Sequence, residues 1–237
     1  MRKIAIIGRG RVASHLGKAL SGAGHSVVMC GGRVRVCAVP RDVDMVVLAV
    51  KDDCIGEVSA GLAGEIPEGV MVVHTAGSVS MEALGRRRCG VFYPMQTFSL
   101  EREVDFSKVP VFLEASDDGG LALLDEVAGS VSRVVYHLDG ERRRFLHLAA
   151  VFCCNFVNHM YALSEELLVG QGIPFDVMLA LIDETAAKVH ELSPRVAQTG
   201  PAVRWDVSVM DGHVGMLPDE CMRTIYRILS RSIHDKL

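Results

Sequence analysis

The 237-residue sequence has no surplus of basic charge: 25 Lys and Arg stand against 29 Asp and Glu, for a formal net charge of -4. Such a balance offers no polycationic surface to displace the counterions of a phosphate backbone, so no nucleic-acid partner is expected. Proline is scarce at 8 residues. With 49% hydrophobic and 23% charged residues, the composition excludes disordered and collagen-like chains. No Cys-x-x-C pair occurs among the 7 cysteines at 30, 37, 54, 89, 153, 154 and 221, which argues against zinc, thiol redox chemistry and a disulfide framework. Reduced thiols and a cytoplasmic location are expected. Long apolar runs are missing too. Too few hydrophobic residues follow Met1-Arg2-Lys3 for a signal segment. Leu148 to Val157 covers about ten residues and contains Asn155, short of the ~20 that span a bilayer, so no membrane association is expected.

What is present is an alternation of short apolar runs and helical patterns. Lys3 to Ile7 ends in Gly8, and Val12, Ala13, Leu16 and Leu20 follow at helical spacing. Further strand signals lie at Val27 to Cys30, Met45 to Val50, Val70 to Val73, Val91 to Tyr93, Val109 to Leu113 and Val134 to Tyr136, with helical patterns at Cys54 to Leu62 and Leu121 to Ala128. Runs without polar alternation belong to strands buried on both faces, which predicts an α/β architecture with a doubly wound parallel sheet. Near Gly140 the character changes, and Arg142 to Leu168, Pro174 to Leu192 and Glu220 to Lys236 read as helices divided by turns at Gly170 to Pro174, Gly200-Pro201 and Gly212 to Pro218. The expected organisation is a Rossmann-type sheet domain at 1–138 and an all-α C-terminal domain at 139–237. The arginine triplets Arg86 to Arg88 and Arg142 to Arg144 read as solvated charges.

Gly8-Arg9-Gly10-Arg11-Val12-Ala13 matches G-x-G-x-x-A between a strand and a helix. The first glycine permits the tight turn, the second lets the backbone approach a pyrophosphate at the helix N-terminus, and the small third residue lets helix and strand pack closely. The second strand ends in Cys30-Gly31-Gly32-Arg33, without the carboxylate that would hold the ribose 2′-hydroxyl of NAD. Arg33, 25 residues after Gly8, is placed to take a 2′-phosphate, with Arg9 or Arg11 assisting, so NADP (as NADPH) is the expected cofactor. Val50, Lys51 and Thr75, just past strand ends, complete the expected cofactor site.

Two redox signatures are missing. No tyrosine is followed four residues later by lysine, which removes the short-chain dehydrogenases. No lysine has an asparagine one helical turn away, which removes the catalytic pair of the phosphogluconate-dehydrogenase relatives. Four ordered motifs do carry a resemblance: His74-Thr75-Ala76-Gly77-Ser78, Tyr93-Pro94-Met95-Gln96-Thr97-Phe98-Ser99, His147 through Asn155, and Gly200-Pro201-Ala202-Val203-Arg204-Trp205-Asp206. Together they resemble the DUF2520 family of Rossmann-like proteins, related in architecture to pyrroline-5-carboxylate and ketopantoate reductases and associated with NADP or coenzyme F420. Tyr93 stands where the family usually has histidine, Ala76 where it has serine, and Trp205 where it has a small residue.

At 100° per residue His147, Val151, Asn155 and Asn158 share one helix face. His147 is the side chain best suited to move a proton near neutral pH, and Asn155 to orient a substrate or the cofactor's carboxamide. The same residues could instead satisfy one another in a buried interface. The expected catalytic set is His147, Asn155 and His74. Ser78, Tyr93, Gln96, Asn158 and Arg204 form the expected substrate set, though Arg204 could pair with Asp206 instead. His213 could cap a helix or face the cleft. No ligand spacing supports a metal. The function read from this is an NADP-dependent reductase passing hydride to a small carbonyl or imine in the cleft between the domains. The alternatives are a catalytically silent NADP-binding sensor or scaffold, and an enzyme passing hydride between NADP and F420. The helical domain is apolar along several faces and related reductases dimerise through theirs, so a homodimer is expected.

Overall fold

The computed structural model describes residues 1–31 and 39–236. The chain forms two compact units, Met1–Cys154 and Asn155–Leu237, so the division falls within a long helix, sixteen residues past the boundary expected at 138. The helix that begins at Gly140 belongs with the sheet because two of its side chains are bonded to sheet residues, as described below.

The first unit is built on seven strands: β1 (Lys3–Ile7), β2 (Ser26–Cys30), β3 (Met45–Leu48), β4 (Met71–His74), β5 (Cys89–Pro94), β6 (Val111–Ala115) and β7 (Val135–His137). They lie in the order β2-β1-β3-β4-β5-β6-β7. Strand residues alternate between two cores, as a period of two requires. Ile4, Ile6, Met45, Val47, Met71 and Val73 join one cluster, and Ala5, Ile7, Val46, Leu48 and Val72 join the other. Helix α1 (Arg11–Gly22) adds Ala13, Leu16 and Leu20 to the first cluster, and α3 (Asp118–Val131) adds Leu124, Val127 and Ala128. Helix α2 (Ile55–Gly61) puts Ile55 and Val58 in the second. Burying side chains of this size contributes roughly 1.5–3 kcal/mol each, which is why the sheet is covered on both faces.

The sheet departs from the fully parallel expectation at one seam. β1 to β5 are mutually parallel, but β6 runs antiparallel to β5, and β7 parallel to β6. An apolar run has the same period in either direction, so the sequence carries no sign of this reversal. Its effect is to set Glu114 of β6 directly opposite Val91 of β5, two residues before Tyr93.

A 30-residue helical stretch, Gly140–Val169, comprises α4 (Gly140–Ala150), a π-helical turn (Val151–Phe156) and α5 (Val157–Val169). By length and composition it suffices to cross a membrane, which corrects the ten-residue count. That count stopped at polar residues, whereas the helix runs through His147, Asn155, Asn158 and His159, each costly to place in hydrocarbon. The π-turn also interrupts the uniform 100° rotation used to align His147 with Asn155 and Asn158, so the common face expected of them does not follow from spacing.

The second unit continues through α6 (Leu179–Lys188), α7 (Pro201–Arg204), α8 (Val207–Met216) and α9 (Glu220–Asp235). Gly212 to Pro218 reads as a turn in the sequence, yet α8 passes through Gly212 and Gly215. The helix is started by the Asp206 carboxylate, which accepts from the Val209 N–H at 3.2 Å. It is held against α9 by His213 Nδ1, 2.8 Å from the Tyr226 hydroxyl. Between α7 and α8 the chain reverses at Trp205, the one non-glycine residue with positive φ (53°) among those described.

Candidate functional site

The glycine turn joins β1 to α1 at the carboxyl edge of the parallel strands. Gly8 has φ 144° and lies so close to β3 that a Cβ would fall 2.2 Å from the Ala49 carbonyl oxygen, so only glycine fits. Gly10, the residue before α1, is different: a Cβ there would meet nothing within 4 Å. It leaves open backbone in front of a helix whose first N–H groups receive no side-chain cap. An open glycine before uncapped amides suits a diphosphate. Ala13 is fully buried, as close packing of α1 requires.

Arg9 reaches sideways to the end of β2, where a Cβ on Gly31 would lie 3.0 Å from its guanidinium. That is the position at which a ribose 2′-substituent is read in such sheets. Arg11 is directed elsewhere, donating to the Phe98 carbonyl at 3.4 Å, so it ties the loop after β5 to α1 instead of assisting Arg9. Arg33 lies outside the described residues. Val50 and the exposed Lys51 follow β3 at the same edge, and the Thr75 N–H donates to Leu48 O at 3.2 Å. The residues present therefore fit a dinucleotide at this edge.

Farther along this edge the loop after β4 meets β5 and α4. The Tyr93 hydroxyl lies 3.1 Å from His147 Nδ1, with the rings edge to face at 6.0 Å. Both rest on Gly77, where a Cβ would fall 2.6 Å from His147 Nδ1 and 2.9 Å from Tyr93 Cζ. Burial raises the Tyr93 pKa, while the Arg143 cation pulls it down and the Asp52 carboxylate pushes it up. His74, expected among the catalytic residues, is fully buried, and both ring nitrogens serve the loop's own backbone. Nδ1 accepts from Ala76 N–H at 3.2 Å and Nε2 donates to Ser80 O at 3.3 Å. Burial, and then the Arg143 charge, lowers its pKa to about 4, so the ring is neutral at physiological pH. Its place in the site is to shape the 75–80 loop.

Three side chains around this edge escaped the sequence reading. Arg143, in a triplet read as solvated, has no exposed surface. It pairs with Glu114 and donates to Val79 O at 2.6 Å, fixing the 75–80 loop to α4. Glu114 also accepts from the Gly140 N–H at 3.1 Å. The signal that could have found the pair is a lone glutamate in the apolar run Val111-Phe112-Leu113-Glu114. Asp52, just past β3, accepts from the Ser78 hydroxyl at 2.7 Å. A charged residue next to Lys51 at a strand end was the available clue.

The Gln96 amide oxygen accepts from Thr97 N–H at 2.8 Å and so folds back on its own loop. Asn155, Asn158 and Arg204 are exposed in the second unit. Asp206 serves as the α8 cap, and no ion pair with Arg204 forms. His213 neither caps a helix nor stands alone, being bonded to Tyr226. Among the described residues no group of three or more His, Cys, Asp or Glu is arranged to hold a metal.

Comparison with known proteins agrees with this geometry. A protein from Bacteroides fragilis, provisionally described as an NADP oxidoreductase, is 43% identical over 99% of this chain and 98% of its own, with a TM-score of 0.93. The reductive aminase of Aspergillus terreus, solved with NADPH and ethyl levulinate, is 13% identical over 99% of this chain and 94% of its own, TM-score 0.73. Pyrroline carboxylate reductase of Plasmodium falciparum, solved with NADP bound, is 10% identical over 99% and 96%, TM-score 0.63. At 13% and 10% identity the likeness is one of fold alone. No curated protein matches the sequence. The DUF2520 pattern, a domain of unknown function, matches residues 109–233, more than half of the chain. With the fold of NADP oxidoreductases and that match across both units, the chain belongs to the DUF2520 family.

Proposed function

We propose that this protein is an NADPH-dependent reductase of a small carbonyl or imine compound. The observation that carries the reading is the Tyr93–His147 hydrogen bond, seated on Gly77 at the same sheet edge as the open glycine turn. Gly8, Gly10 and the α1 amides would hold the diphosphate, Arg9 the 2′-phosphate, and Val50, Lys51 and Thr75 the adjoining edge. When bound, NADPH supplies the hydride.

The chain supplies the proton. With His147 protonated at both nitrogens, Nδ1–H donates to the Tyr93 oxygen, which leaves the phenol O–H free to donate to the substrate heteroatom. As the new C–H bond forms, the C=O or C=N π pair takes the phenol proton, the His147 proton moves to the phenol oxygen, and solvent reloads the imidazole. The 75–80 loop, held by His74 and Arg143, keeps Gly77 beneath the pair. The 43%-identical Bacteroides fragilis protein, itself described as an NADP oxidoreductase, supports the same cofactor.

Helix α4 leaves Phe145 and Leu148 exposed, and exposed apolar side chains of this kind fit a homodimer. A cytoplasmic location accords with the unpaired thiols of Cys54, Cys89, Cys153, Cys154 and Cys221.

The test is thermal shift with NADPH, NADH and no ligand, followed by NADPH consumption across small ketones and cyclic imines. NADPH at 100 times its dissociation constant stabilises by about 2.7 kcal/mol. Tyr93→Phe and His147→Ala are expected to retain that shift and lose turnover by about 10²-fold or more. Binding without turnover on any carbonyl or imine would overturn the reductase reading, and an equal response to NADH would overturn the role of Arg9.

A further inference from the structure

We propose that the second unit closes its hydrophobic core only with a second copy of this chain, the arm formed by α5 and α6 of each protomer seating in the α8–α9 groove of the other. The proposal specifies the homodimer suggested above and is independent of the reductase chemistry.

Helices that bury little apolar surface do not repay the entropy lost in ordering them. Among the described residues of the second unit only Ala202, Met210, Met222 and Ser230 are buried, and none from Asn155 to Gly200 is. The sequence there is far from polar, and Val169, Leu181, Val189 and Val196 are each half exposed or more. The first unit, by contrast, closes two cores of its own on the faces of its sheet. The exposed large apolar residues of the second unit present roughly 1,400 Å² per copy, so burying even half of this on each of two copies reaches the ~1,200–2,000 Å² total of a stable interface.

The unit falls into two parts that leave each other's apolar faces open. α5 and α6 meet across the turn Phe175–Met178, α7, α8 and α9 pack on one another, and the two sets share little contact. Trp205, Val207, Met210, Val214, Tyr226 and Ile228 line an open groove of about 670 Å³, to which no residue of α5 or α6 contributes. On α5, Val157, Met160, Leu163, Leu167 and Leu168 fall within one sector at 100° per residue, and Asn158, His159, Glu165 and Glu166 occupy the other side. A stripe with a polar back fits a protein groove. It does not fit the all-round apolar surroundings of a bilayer, although the helical stretch is long enough to cross one. Arm and groove are both unfilled in one chain, so exchange between two copies fills each of them twice and closes with two-fold symmetry.

The experiment is light scattering of the full-length protein without detergent, with emission from Trp205, the chain's one tryptophan. The wild type should run at twice the 25.7 kDa chain mass. Leu181→Glu on the arm and Ile228→Glu in the groove alter side chains that are 62% exposed within one chain. Each should therefore leave the protomer folded and weaken association by about 10²-fold or more. Mixing the two variants should recover about 10-fold of the lost association, because the unaltered arm of Ile228→Glu then meets the unaltered groove of Leu181→Glu; a contact of α6 on α6 gives no such rescue. Trp205 emission should move to the red in Leu181→Glu as the groove empties. A monomeric wild type, no rescue on mixing, or unchanged Trp205 emission in a monomeric Leu181→Glu would overturn the proposal, as would a monomer that binds phosphatidylcholine–phosphatidylglycerol vesicles. If the variants do not fold, dilution of the wild type decides: loss of the dimer without a red shift of Trp205 refutes the seating. Failure here leaves the nucleotide and proton-transfer reading standing, and loss of NADPH binding leaves the dimer standing.

Discussion

Replacing Arg143 by methionine tests whether the buried ion pair holds the site together. The guanidinium is fully buried, pairs with Glu114 and donates to Val79 O, while the Glu114 side chain keeps 20% exposure and a second donor in Gly140 N–H. Removing one partner of a buried pair costs about 3–5 kcal/mol because the other charge is left in a poorly solvated place. Water can reach Glu114 and Gly140 still serves it, so the low end, about 3 kcal/mol, is expected for Arg143→Met. Glu114→Gln should cost as much or more, since it strands a guanidinium with no exposed surface. The double variant should cost little beyond either single change, giving a coupling of about 3 kcal/mol. Urea denaturation of all four proteins measures this, and for a chain of this length about 3 kcal/mol appears as a drop of roughly 6–12 °C in Tm. A coupling within about 0.5 kcal/mol of zero, or a cost below about 1 kcal/mol for Arg143→Met, would refute the account.

His74 gives stability a pH dependence. Its pKa of about 4 in the fold against 6.5 when unperturbed means that the unfolded chain binds the extra proton first as pH falls. The contribution is complete above pH 6.5 and lost toward pH 4, amounting to about 2 kcal/mol between pH 7 and pH 5. Denaturation midpoints should therefore fall more steeply over that range in the wild type than in His74→Asn, and parallel curves would contradict the burial argument. Gly8→Ala should abolish folding or cost about 3 kcal/mol or more, because its Cβ would overlap Ala49 O at positive φ. Gly10→Ala, facing open space, should stay within about 1 kcal/mol of the wild type while losing the NADPH-induced shift. Arg9→Gln should weaken NADPH by about 10–100-fold and leave NADH unchanged in calorimetry; equal losses would place Arg9 away from the 2′-phosphate.

The sheet was legible because its strands are uninterrupted β-branched runs and its first turn needs glycine for a stated mechanical reason. Turn and strand chemistry act locally, and local chemistry is what a sequence displays. The reversal of β6 was not legible, since the residues of a buried strand do not encode its direction. Arg143 was misread for a related reason: an arginine beside two others looks solvated until a partner 29 residues earlier is brought against it. The helix through Gly212 and Gly215 was hidden by its glycines, whose cost of about 1 kcal/mol each is offset by the Asp206 cap and by packing on α9. His147, Tyr93, His74 and Ser78 were singled out individually. Their division into a hydrogen-bonded pair, a loop support and a partner for Asp52 depends on hydrogen bonds between strands, loops and a helix that no spacing rule reaches.

Arg143 and His147 stand four residues apart on α4, a rise of about 6 Å, and the sheet residues they engage, Glu114 opposite Val91 and then Tyr93, are offset by two strand residues, about 6.6 Å. Helix pitch and strand pitch agree to within a fraction of a bond length, so anchoring the first contact sets the second without further adjustment. Accuracy at the Tyr93–His147 contact is thereby inherited from backbone regularity, and it would be lost to any one-residue insertion between positions 143 and 147, which would swing the imidazole about 100° around the helix axis while leaving every side chain chemically intact.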